Sequence, residues 1–249
     1  MMKLVVDVGN TNIKFAFYKE FEQQHFISIP TRKDYNFKQE LENIFKQVDL
    51  KDITVAIYVS VVPSIDDLFI NELRAINLNV FVIDTSIKTN VILNQIAKKE
   101  LGNDLLCLAA IGYYIFNQEF LAISMGTASA LIHIDDSGTL KHSLIFPGLK
   151  SGARNLFDSA EKLEAIDISK PESILALNTN AALRAGIAYA YIGSIDYILR
   201  RYQQELDRDF LVIASGGLGQ MVKDGCDIID YYDRDLVIKG ALFLYEYNQ

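Results

Sequence analysis

Residues 4–9 read LVVDVG, and residues 121–126 read LAISMG. Both are apolar runs of strand length that end in a glycine, and each continues through a turn rich in Thr, Asn or Ser into further strand-like residues. In each half of the 249-residue chain the pattern then passes through strands to helices. A repeat at this distance predicts a duplicated α/β fold, with one lobe at residues 1–117 and a second at 118–249.

Hydrophobic periodicity assigns the helices and strands of both halves. Strands are predicted where apolar or β-branched residues dominate, at 3–8, 12–19, 23–29, 53–62, 79–83, 119–123, 128–134, 139–146 and 210–214. Helices are predicted where apolar residues recur every three or four positions, at 36–48 and 64–76, from Gly102, across most of 149–206 with one long helix from Ala181, and at 234–247. The order of strands followed by helices therefore occurs twice.

The bulk composition excludes several classes of protein. Half of the residues are hydrophobic and the net charge is −8, so a large core is expected and a basic surface for nucleic acid or anionic membranes is not. Nothing resembles a signal peptide, and no apolar run is long enough to span a bilayer, so we expect a cytoplasmic protein. The two cysteines, Cys107 and Cys226, match no disulfide or metal-binding pattern.

The first glycine turn, Asp7–Lys14, is a candidate phosphate-binding loop. Gly9 permits a tight turn, residues 10–12 (Asn, Thr and Asn) offer hydrogen-bond donors to phosphate oxygens, and Lys14 adds a positive charge. Asp7, at the end of the strand, is placed to hold Mg²⁺ through water, because Mg²⁺ keeps much of its hydration shell. An ordinary β-hairpin with an Asn-Thr turn explains the same residues equally well.

Two further glycine turns follow predicted strands in the second half. Gly126 and Thr127 offer hydrogen bonds to the distal phosphates of a nucleotide, and Gly216–Gly217 lets a flat ring such as adenine lie against the backbone. Taken alone, each turn has a simpler structural explanation, the first as a hairpin turn and the second as the entry to a helix. The three turns together, in compatible positions, favour a nucleotide site.

Two helix starts carry candidate catalytic and substrate residues. The sequence Gly102-Asn103-Asp104 opens a helix, and Asp104 is a candidate general base for a hydroxyl that attacks the γ-phosphate. An aspartate in the first turn of a helix also caps it or complements its dipole, and spacing alone favours this structural role. Asn178 and Thr179 precede the long helix of the second half, where capping is the simpler explanation.

Taken in order, these motifs resemble type III pantothenate kinases along essentially the whole chain. The matching elements are Asp7–Thr11, Ser60–Pro63, Gly102 with Asp104, Gly126–Ala128, Pro147–Leu149, Asn178–Thr179, Gly186–Ile187, Ser215–Gly217 and Gly240 through Asn248. Each motif is weak by itself, whereas the ordered set is specific. The resemblance implies the duplicated actin-like (ribonuclease H-like) fold shared with Hsp70 and the sugar kinases, with two lobes around an ATP cleft.

The resemblance also implies an activity and a set of site residues. The activity is ATP-dependent phosphorylation of pantothenate to 4'-phosphopantothenate, the first step of coenzyme A biosynthesis, by a homodimer. ATP would be bound by Asp7, Val8, Gly9, Asn10, Thr11, Asn12, Ile13, Lys14, Gly126, Thr127, Gly216 and Gly217. Pantothenate would be bound by Gly102, Asn103, Asp104, Leu105 and Thr179, with Asp104 as the catalytic base. Asp7 would hold Mg²⁺, and Ser124 would hold a monovalent cation, K⁺ or NH₄⁺.

Two departures from the family pattern bear on this site. Ser124 stands where the family has an aspartate, so the cation position lacks the charge of a carboxylate. Leu105 stands where the family has an arginine, so an anionic substrate loses a fork-shaped donor. These departures keep two alternatives open: a catalytically weak or regulatory paralogue, and an actin-like kinase for another small alcohol.

Overall fold

The chain folds into two compact units. The computed structural model describes residues 2–32, 36–46, 48, 52–160 and 163–249. One unit comprises Met1–Ile115 with Leu236–Gln249, and the other comprises Phe116–Asp235. Each unit contains a five-stranded mixed sheet with its own helices, as the repeat in the sequence predicts.

The first unit contains five strands and five helices among its described residues. The strands are β1 Met2–Val8, β2 Asn12–Lys19, β3 Glu22–Pro30, β4 Ile53–Ser60 and β5 Asn79–Val82. The helices are α1 Phe37–Phe45, α2 Pro63–Ala75, α3 Ala97–Glu100, α4 Asn103–Phe116 and α8 Leu236–Tyr247. The sheet order is β3-β2-β1-β4-β5, with β1, β2 and β3 antiparallel and β1, β4 and β5 parallel.

The central strand β1 forms because its residues suit a strand that is covered on both faces. Leu4, Val5 and Val6 are all fully buried, and a continuous run of aliphatic residues is typical of such a strand. The aromatic residue Phe69 of α2 packs in the same core, with its ring centroid 4.9 Å from that of Phe37 on α1. Burying one such phenylalanine stabilises the folded state by about 1.5–3 kcal/mol. This packing holds α1 and α2 against the sheet whose strand ends carry the candidate site.

The C-terminal helix α8 belongs to the first unit, whereas the sequence division placed it in the second half. α8 packs against β1 and β4. It approaches α4 closely at Gly240, where a Cβ atom would lie 2.1 Å from the carbonyl oxygen of Cys107. Only glycine permits two helix backbones to come so near. Lys3 of β1 and Glu246 of α8 add an ion pair, so the last segment of the chain returns to the first sheet.

The second unit repeats the topology of the first. Its strands are β6 Phe120–Met125, β7 Ala128–Ile134, β8 Leu140–Pro147, β9 Leu211–Ser215 and β10 Tyr231–Tyr232, and its helices are α5 Leu149–Ser159, α6 Thr179–Leu206 and α7 Gly219–Lys223. The sheet order is β8-β7-β6-β9-β10, with β6, β7 and β8 antiparallel and β6, β9 and β10 parallel. The same strand order and directions in both units confirm the predicted duplication.

Some segments differ from the elements predicted from the sequence. The sequence predicted mostly helix across 149–206, but the described residues 163–178 form neither helix nor strand. This segment contains Pro171 and several exposed positions, so it buries too little surface to hold a regular element. The elements α3, α7 and β10 were not predicted, because segments of 4, 5 and 2 residues carry no measurable periodicity.

The longest helix of the described chain is α6, with 28 residues. Its sequence includes Arg184, Asp196, Arg200 and Arg201, so charges occur along its length. Within the described ranges, no helix combines the length and the apolar character needed to cross a membrane.

Candidate active site

The turn between β1 and β2 presents exposed donors at the end of the first sheet. Three hydrogen bonds hold its backbone: Gly9 N–H donates to the Asn12 carbonyl at 3.0 Å, Thr31 N–H donates to the Thr11 carbonyl at 2.8 Å, and Thr31 Oγ1 donates to the Gly9 carbonyl at 2.6 Å. The side chains of residues 10–12 remain exposed. The turn therefore has its shape set by its own bonds, while its side chains lie where a ligand such as phosphate can reach them.

Asp7 and Lys14 face each other at the base of this turn. They are register partners on β1 and β2, and Lys14 Nζ lies 2.6 Å from Asp7 Oδ2. Asp7 is 6% exposed, and a carboxylate that is nearly buried requires a partner of opposite charge. The side chain of Lys14 is 38% exposed, so its flexible stem permits the ammonium to leave Asp7 for a phosphate group.

The donor set around Asp7 fits Mg²⁺ better than it fits a metal ion whose ligands all come from the protein. In the described ranges, no cluster of three or more His, Cys, Asp or Glu side chains forms a metal site. Mg²⁺ commonly uses one or two carboxylates and completes its octahedron with water and substrate phosphates. A carboxylate at a strand end, beside a turn whose hydrogen-bonding side chains are exposed, matches that requirement.

Asp104 lies in the first turn of α4, where several groups act on its carboxyl. Burial raises the pKa of Asp104, and the negative charge of Asp7 raises it further. The N–H of Leu105, which donates to Oδ1 at 2.9 Å, lowers this pKa and so opposes the rise. The net result is a pKa above the usual aspartate value. Gly102 leaves room for this carboxylate, because a Cβ there would lie 2.6 Å from Asp104 Oδ1. A partly buried carboxylate with a raised pKa is suited to accept a proton.

The neighbours of Asp104 are engaged within the first unit. Asn103 Nδ2 donates to the carbonyl oxygen of Ser60 at 3.1 Å, and Ser60, the last residue of β4, is 7% exposed. Leu105 is also 7% exposed. The family resemblance implies that Asn103 and Leu105 contact substrate; in the structure the side chain of Asn103 lies against a strand end and that of Leu105 is buried. The Ser60 contact had no sequence signal, because the two residues lie 43 positions apart.

The second glycine turn, in the other unit, is held by the start of α5. Gly148 N–H donates to the Thr127 carbonyl at 3.2 Å, and Ser151 Oγ donates to the same oxygen at 2.5 Å. A Cβ at Gly148 would lie 2.2 Å from the Gly126 carbonyl oxygen, so glycine is needed for this approach. Gly126 and Thr127 are exposed. Sequence reasoning missed Ser151, because a serine in a helix gives no local sign of such a bond.

The third glycine turn packs against the end of β6, at the residue that precedes the second turn. Gly216 has φ of +109°, a conformation that favours glycine. A Cβ at this position would lie 2.2 Å from the carbonyl oxygen of Met125, at the end of β6. Tyr232 Oη donates to the Gly216 carbonyl at 2.9 Å and so fixes the turn. Gly217, by contrast, has open space around it.

Ser124, the predicted cation position, lies near the end of β6. Its register partner on β9 is Ser215, whose hydroxyl donates to the carbonyl oxygen of Arg234 at 3.2 Å. Ser124 is partly buried. The position therefore offers a cation a neutral hydroxyl in place of a carboxylate, which reduces the electrostatic attraction.

Thr179 is the first residue of α6 and is exposed. Asn178 caps the helix, since its side chain accepts a hydrogen bond from Ala181 N–H at 2.9 Å, as the capping interpretation predicts. Thr179 also lines a groove of about 550 Å³ between α5 and α6. The other lining residues are apolar or glycine: Leu156, Ala182, Leu183, Gly186, Ile187 and Ala190.

Comparison with known proteins identifies a family for the whole chain. A family model described as type III pantothenate kinase matches residues 3–201. A protein named type III pantothenate kinase from Bifidobacterium longum subsp. infantis is 32% identical over 253 residues, and the match covers 99% of each chain. These matches agree with the order of motifs read from the sequence.

Comparison with solved structures concerns the fold. A conserved Baf family protein from Campylobacter jejuni has a TM-score of 0.61 at 16% identity, and the match covers 98% of both chains. The activator of 2-hydroxyisocaproyl-CoA dehydratase from Clostridium difficile, solved with bound ADPNP, has a TM-score of 0.51 at 11% identity and covers 100% of this chain and 96% of that one. Likeness at such identities shows the fold alone, and it confirms the predicted actin-like α/β architecture with two lobes.

Proposed function

Because the chain belongs to the type III pantothenate kinase family, we propose that it transfers the γ-phosphoryl group of ATP to the hydroxyl group of pantothenate. The products are ADP and 4'-phosphopantothenate, and the reaction is the first step of coenzyme A biosynthesis. The observation that carries this proposal is the group formed by Asp7, Lys14 and Asp104 in one unit, at the end of a strand and the start of a helix. Release of ADP that depends on pantothenate tests it.

In this proposal the turn from Asp7 to Lys14 binds the phosphates of ATP. The ammonium of Lys14 would pair with a phosphate oxygen, and Asp7 would hold hydrated Mg²⁺. The ion would neutralise charge on the phosphates and orient the γ-phosphoryl group. The exposure of residues 10–12 supports this assignment, because phosphate binding uses N–H and O–H groups that a ligand can reach from solvent.

Asp104 is the proposed general base. It accepts the proton of the substrate hydroxyl as the oxygen forms its bond to the γ-phosphorus and the bond from that phosphorus to the β–γ bridging oxygen breaks. Burial and the charge of Asp7 raise the pKa of Asp104, and a raised pKa strengthens a carboxylate as a base.

The glycine turns of the second unit are the proposed contacts to the rest of ATP. Gly126 and Thr127 are exposed at the end of β6 and supply hydrogen bonds to phosphate. The backbone of Gly216 and Gly217 supplies a flat surface for adenine, since neither residue carries a side chain. The bonds from Ser151 to the Thr127 carbonyl and from Tyr232 to the Gly216 carbonyl support this assignment, because they hold both turns in place before ligand binds.

Leu105 favours a second candidate acceptor. The substrate residues that the family resemblance implies are Gly102, Asn103, Asp104, Leu105 and Thr179. Leu105 is buried and has no charge to pair with the carboxylate of pantothenate, so the acid gains nothing from this residue over a neutral amide of pantothenate. Comparison of steady-state kcat/KM for pantothenate with that for its neutral N-alkyl amide distinguishes the two candidate acceptors. A strong preference for the acid would rule out the amide as the physiological acceptor.

We expect a weak response of the rate to monovalent cations. A cation beside Ser124 meets a neutral hydroxyl, and its neighbour Ser215 already donates to a carbonyl oxygen. Rates in Na⁺, K⁺ and NH₄⁺ salts at equal ionic strength should therefore be alike in the natural chain. The matched variant Ser124→Asp restores the carboxylate and should gain a preference for K⁺ or NH₄⁺. A strong requirement for K⁺ in the natural chain would contradict this expectation.

The proposed oligomer is a homodimer that buries the groove between α5 and α6. Small residues lie on one face of α6 at Ala182, Gly186 and Ala190, four positions apart, and permit another helix to approach closely. A Cβ at Gly186 meets no atom within 4 Å in the subunit. Gly186→Leu should therefore fold normally and sediment as a monomer. A dimer of unchanged affinity in this variant would place the interface elsewhere.

A further inference from the structure

Asn103 makes a contact that its place in the sequence does not require. An asparagine at the start of a helix usually caps it by accepting a hydrogen bond from an N–H group of the first turn. Here Asn103 is the first residue of α4, and its amide nitrogen instead donates out of the helix, to the Ser60 carbonyl oxygen at 3.1 Å. In the first turn, the N–H of Leu105 donates to the side chain of Asp104 instead. The Asn103 amide therefore joins the helix to the sheet.

The acceptor of this bond is fixed to the strand that carries Asp7. Ser60 is the register partner of Val8, and the next residue, Val61, donates its N–H to the Val8 carbonyl at 3.0 Å. Ser60 Oγ accepts the N–H of Val62 at 3.0 Å. The end of β4 is thus held by β1 on one side and by its own turn on the other. The Ser60 carbonyl is therefore a fixed acceptor for the Asn103 amide.

The bond from Asn103 acts on the residue beside it. Asp104 directly follows Asn103 in the chain, and Asp7 directly precedes Val8 in β1. This hydrogen bond therefore connects the start of α4, with its carboxylate, to the end of β4, and the neighbouring strand β1 carries Asp7. The charge of Asp7 raises the pKa of Asp104 and the charge of Lys14 lowers it, so this pKa depends on where the carboxyl of Asp104 lies relative to the ion pair.

We infer that Asn103 is a positioning residue: its amide holds the start of α4 on the end of β4, and so fixes Asp104 relative to Asp7 and the bound nucleotide. The inference rests on the proposed function, in which Asp104 is the base. It differs from the expectation that Asn103 contacts pantothenate, because the amide nitrogen is bonded to Ser60. Without this bond the carboxylate gains freedom to turn towards water and away from Asp7.

Kinetics of Asn103→Ala test the inference in the full-length protein. We expect kcat to fall roughly 10- to 100-fold, because small displacements of a catalytic group are costly, while KM for pantothenate changes little. The acid limb of the kcat profile should move to lower pH, because Asp104 loses both the burial and the charge of Asp7 that raise its pKa. A raised KM with unchanged kcat and an unchanged pH profile would overturn the inference in favour of direct substrate contact.

The chain offers a matched control on the same helix. Asn90 Nδ2 donates to the Ala110 carbonyl of α4 at 3.0 Å, so Asn90→Ala also removes one asparagine bond to a carbonyl at this helix. This variant should lose thermal stability to a similar extent and keep the pH profile of the natural chain. Equal shifts of the pH profile in both variants would mean that any loosening of α4 suffices, and would overturn a specific role for Asn103.

A measurement without turnover separates this inference from the proposed function. Titration of the Asp104 carboxyl by carbon-13 NMR, with no substrate present, should give a lower midpoint in Asn103→Ala than in the natural chain. Asn103→Leu, which keeps the size of the side chain, should give the same result and guards against an effect of the smaller residue. An unchanged midpoint in both variants overturns the inference. A lowered midpoint in a chain that does not phosphorylate pantothenate supports the positioning role and rejects the proposed function.

Discussion

Replacing Asp104 by asparagine should lower kcat roughly 10²- to 10⁴-fold. The amide keeps the size of the carboxylate and cannot accept the proton of the substrate hydroxyl. KM for ATP should change little, because Asp104 is not among the proposed nucleotide contacts. Pre-steady-state and steady-state release of ADP in the presence of pantothenate measure the effect.

The same variant should not be less stable than the natural chain. Burial and the charge of Asp7 raise the pKa of Asp104, so the folded state binds its proton more tightly than the unfolded state does. Its stabilising contribution is present below the unfolded pKa and is lost as pH rises through the folded pKa. Above the folded pKa the ionised carboxylate therefore disfavours the folded state, and a neutral amide at this position removes that cost. Thermal unfolding at neutral pH should show an equal or higher Tm.

This combination separates catalysis from helix capping. The side-chain amide in Asp104→Asn retains an oxygen that accepts the N–H of Leu105, so a capping role alone predicts nearly normal turnover in this variant. Near-normal kcat in a folded variant would therefore contradict the assignment of Asp104 as the base. A large loss of kcat with preserved Tm is the result that capping does not explain.

Replacing Gly216 by alanine should destabilise the second unit by about 2 kcal/mol or more, because a non-glycine residue in a disfavoured conformation adds strain to a steric clash. Gly216 has φ of +109°, and the new Cβ would lie 2.2 Å from the Met125 carbonyl oxygen. Relief requires the turn to move away from the end of β6, next to Gly126. Both glycine turns of this unit should then lose their shape, and ATP binding should weaken.

Gly217→Ala is the matched control for Gly216→Ala. A Cβ at Gly217 meets no atom within 4 Å in the unliganded chain, so this variant should unfold at nearly the natural temperature. Its affinity for ATP should fall if adenine lies against this residue. Thermal unfolding and calorimetric titration with ATP distinguish the two effects. Equal stability of both variants would mean that the Gly216 turn adapts, contrary to its packing against Met125.

The duplicated fold could be predicted from the sequence because its signals are local. Buried strands such as β1 read as continuous apolar runs, and the glycines that end them stand at matching places in both halves. The place of α8 could not be predicted in this way. Its assignment to the first unit depends on the contact of Gly240 with Cys107, which lies far away in the chain.

The candidate site was predictable to different degrees. Asp7 and Lys14 lie on one short hairpin, whose register places them opposite each other, so local reasoning brings them together. The distance between Asn103 and Ser60 in the chain hides their hydrogen bond. Likewise, Tyr232 lies 16 residues from Gly216 and gives no local sign that it holds that turn. Residues proposed to bind ligand can be recognised from sequence motifs. The residues that hold them in position can be recognised only in the folded structure.

The most direct test of the proposed function is ADP release by purified protein with MgATP, in the presence and absence of pantothenate. The proposal predicts release that requires pantothenate and forms one 4'-phosphopantothenate for each ADP. The neutral N-alkyl amide of pantothenate serves as a second acceptor, and Asp104→Asn serves as the inactive control. Protein that is folded and binds ATP but releases no ADP with pantothenate would contradict the proposal. Release with the amide alone would instead identify a kinase for another small alcohol.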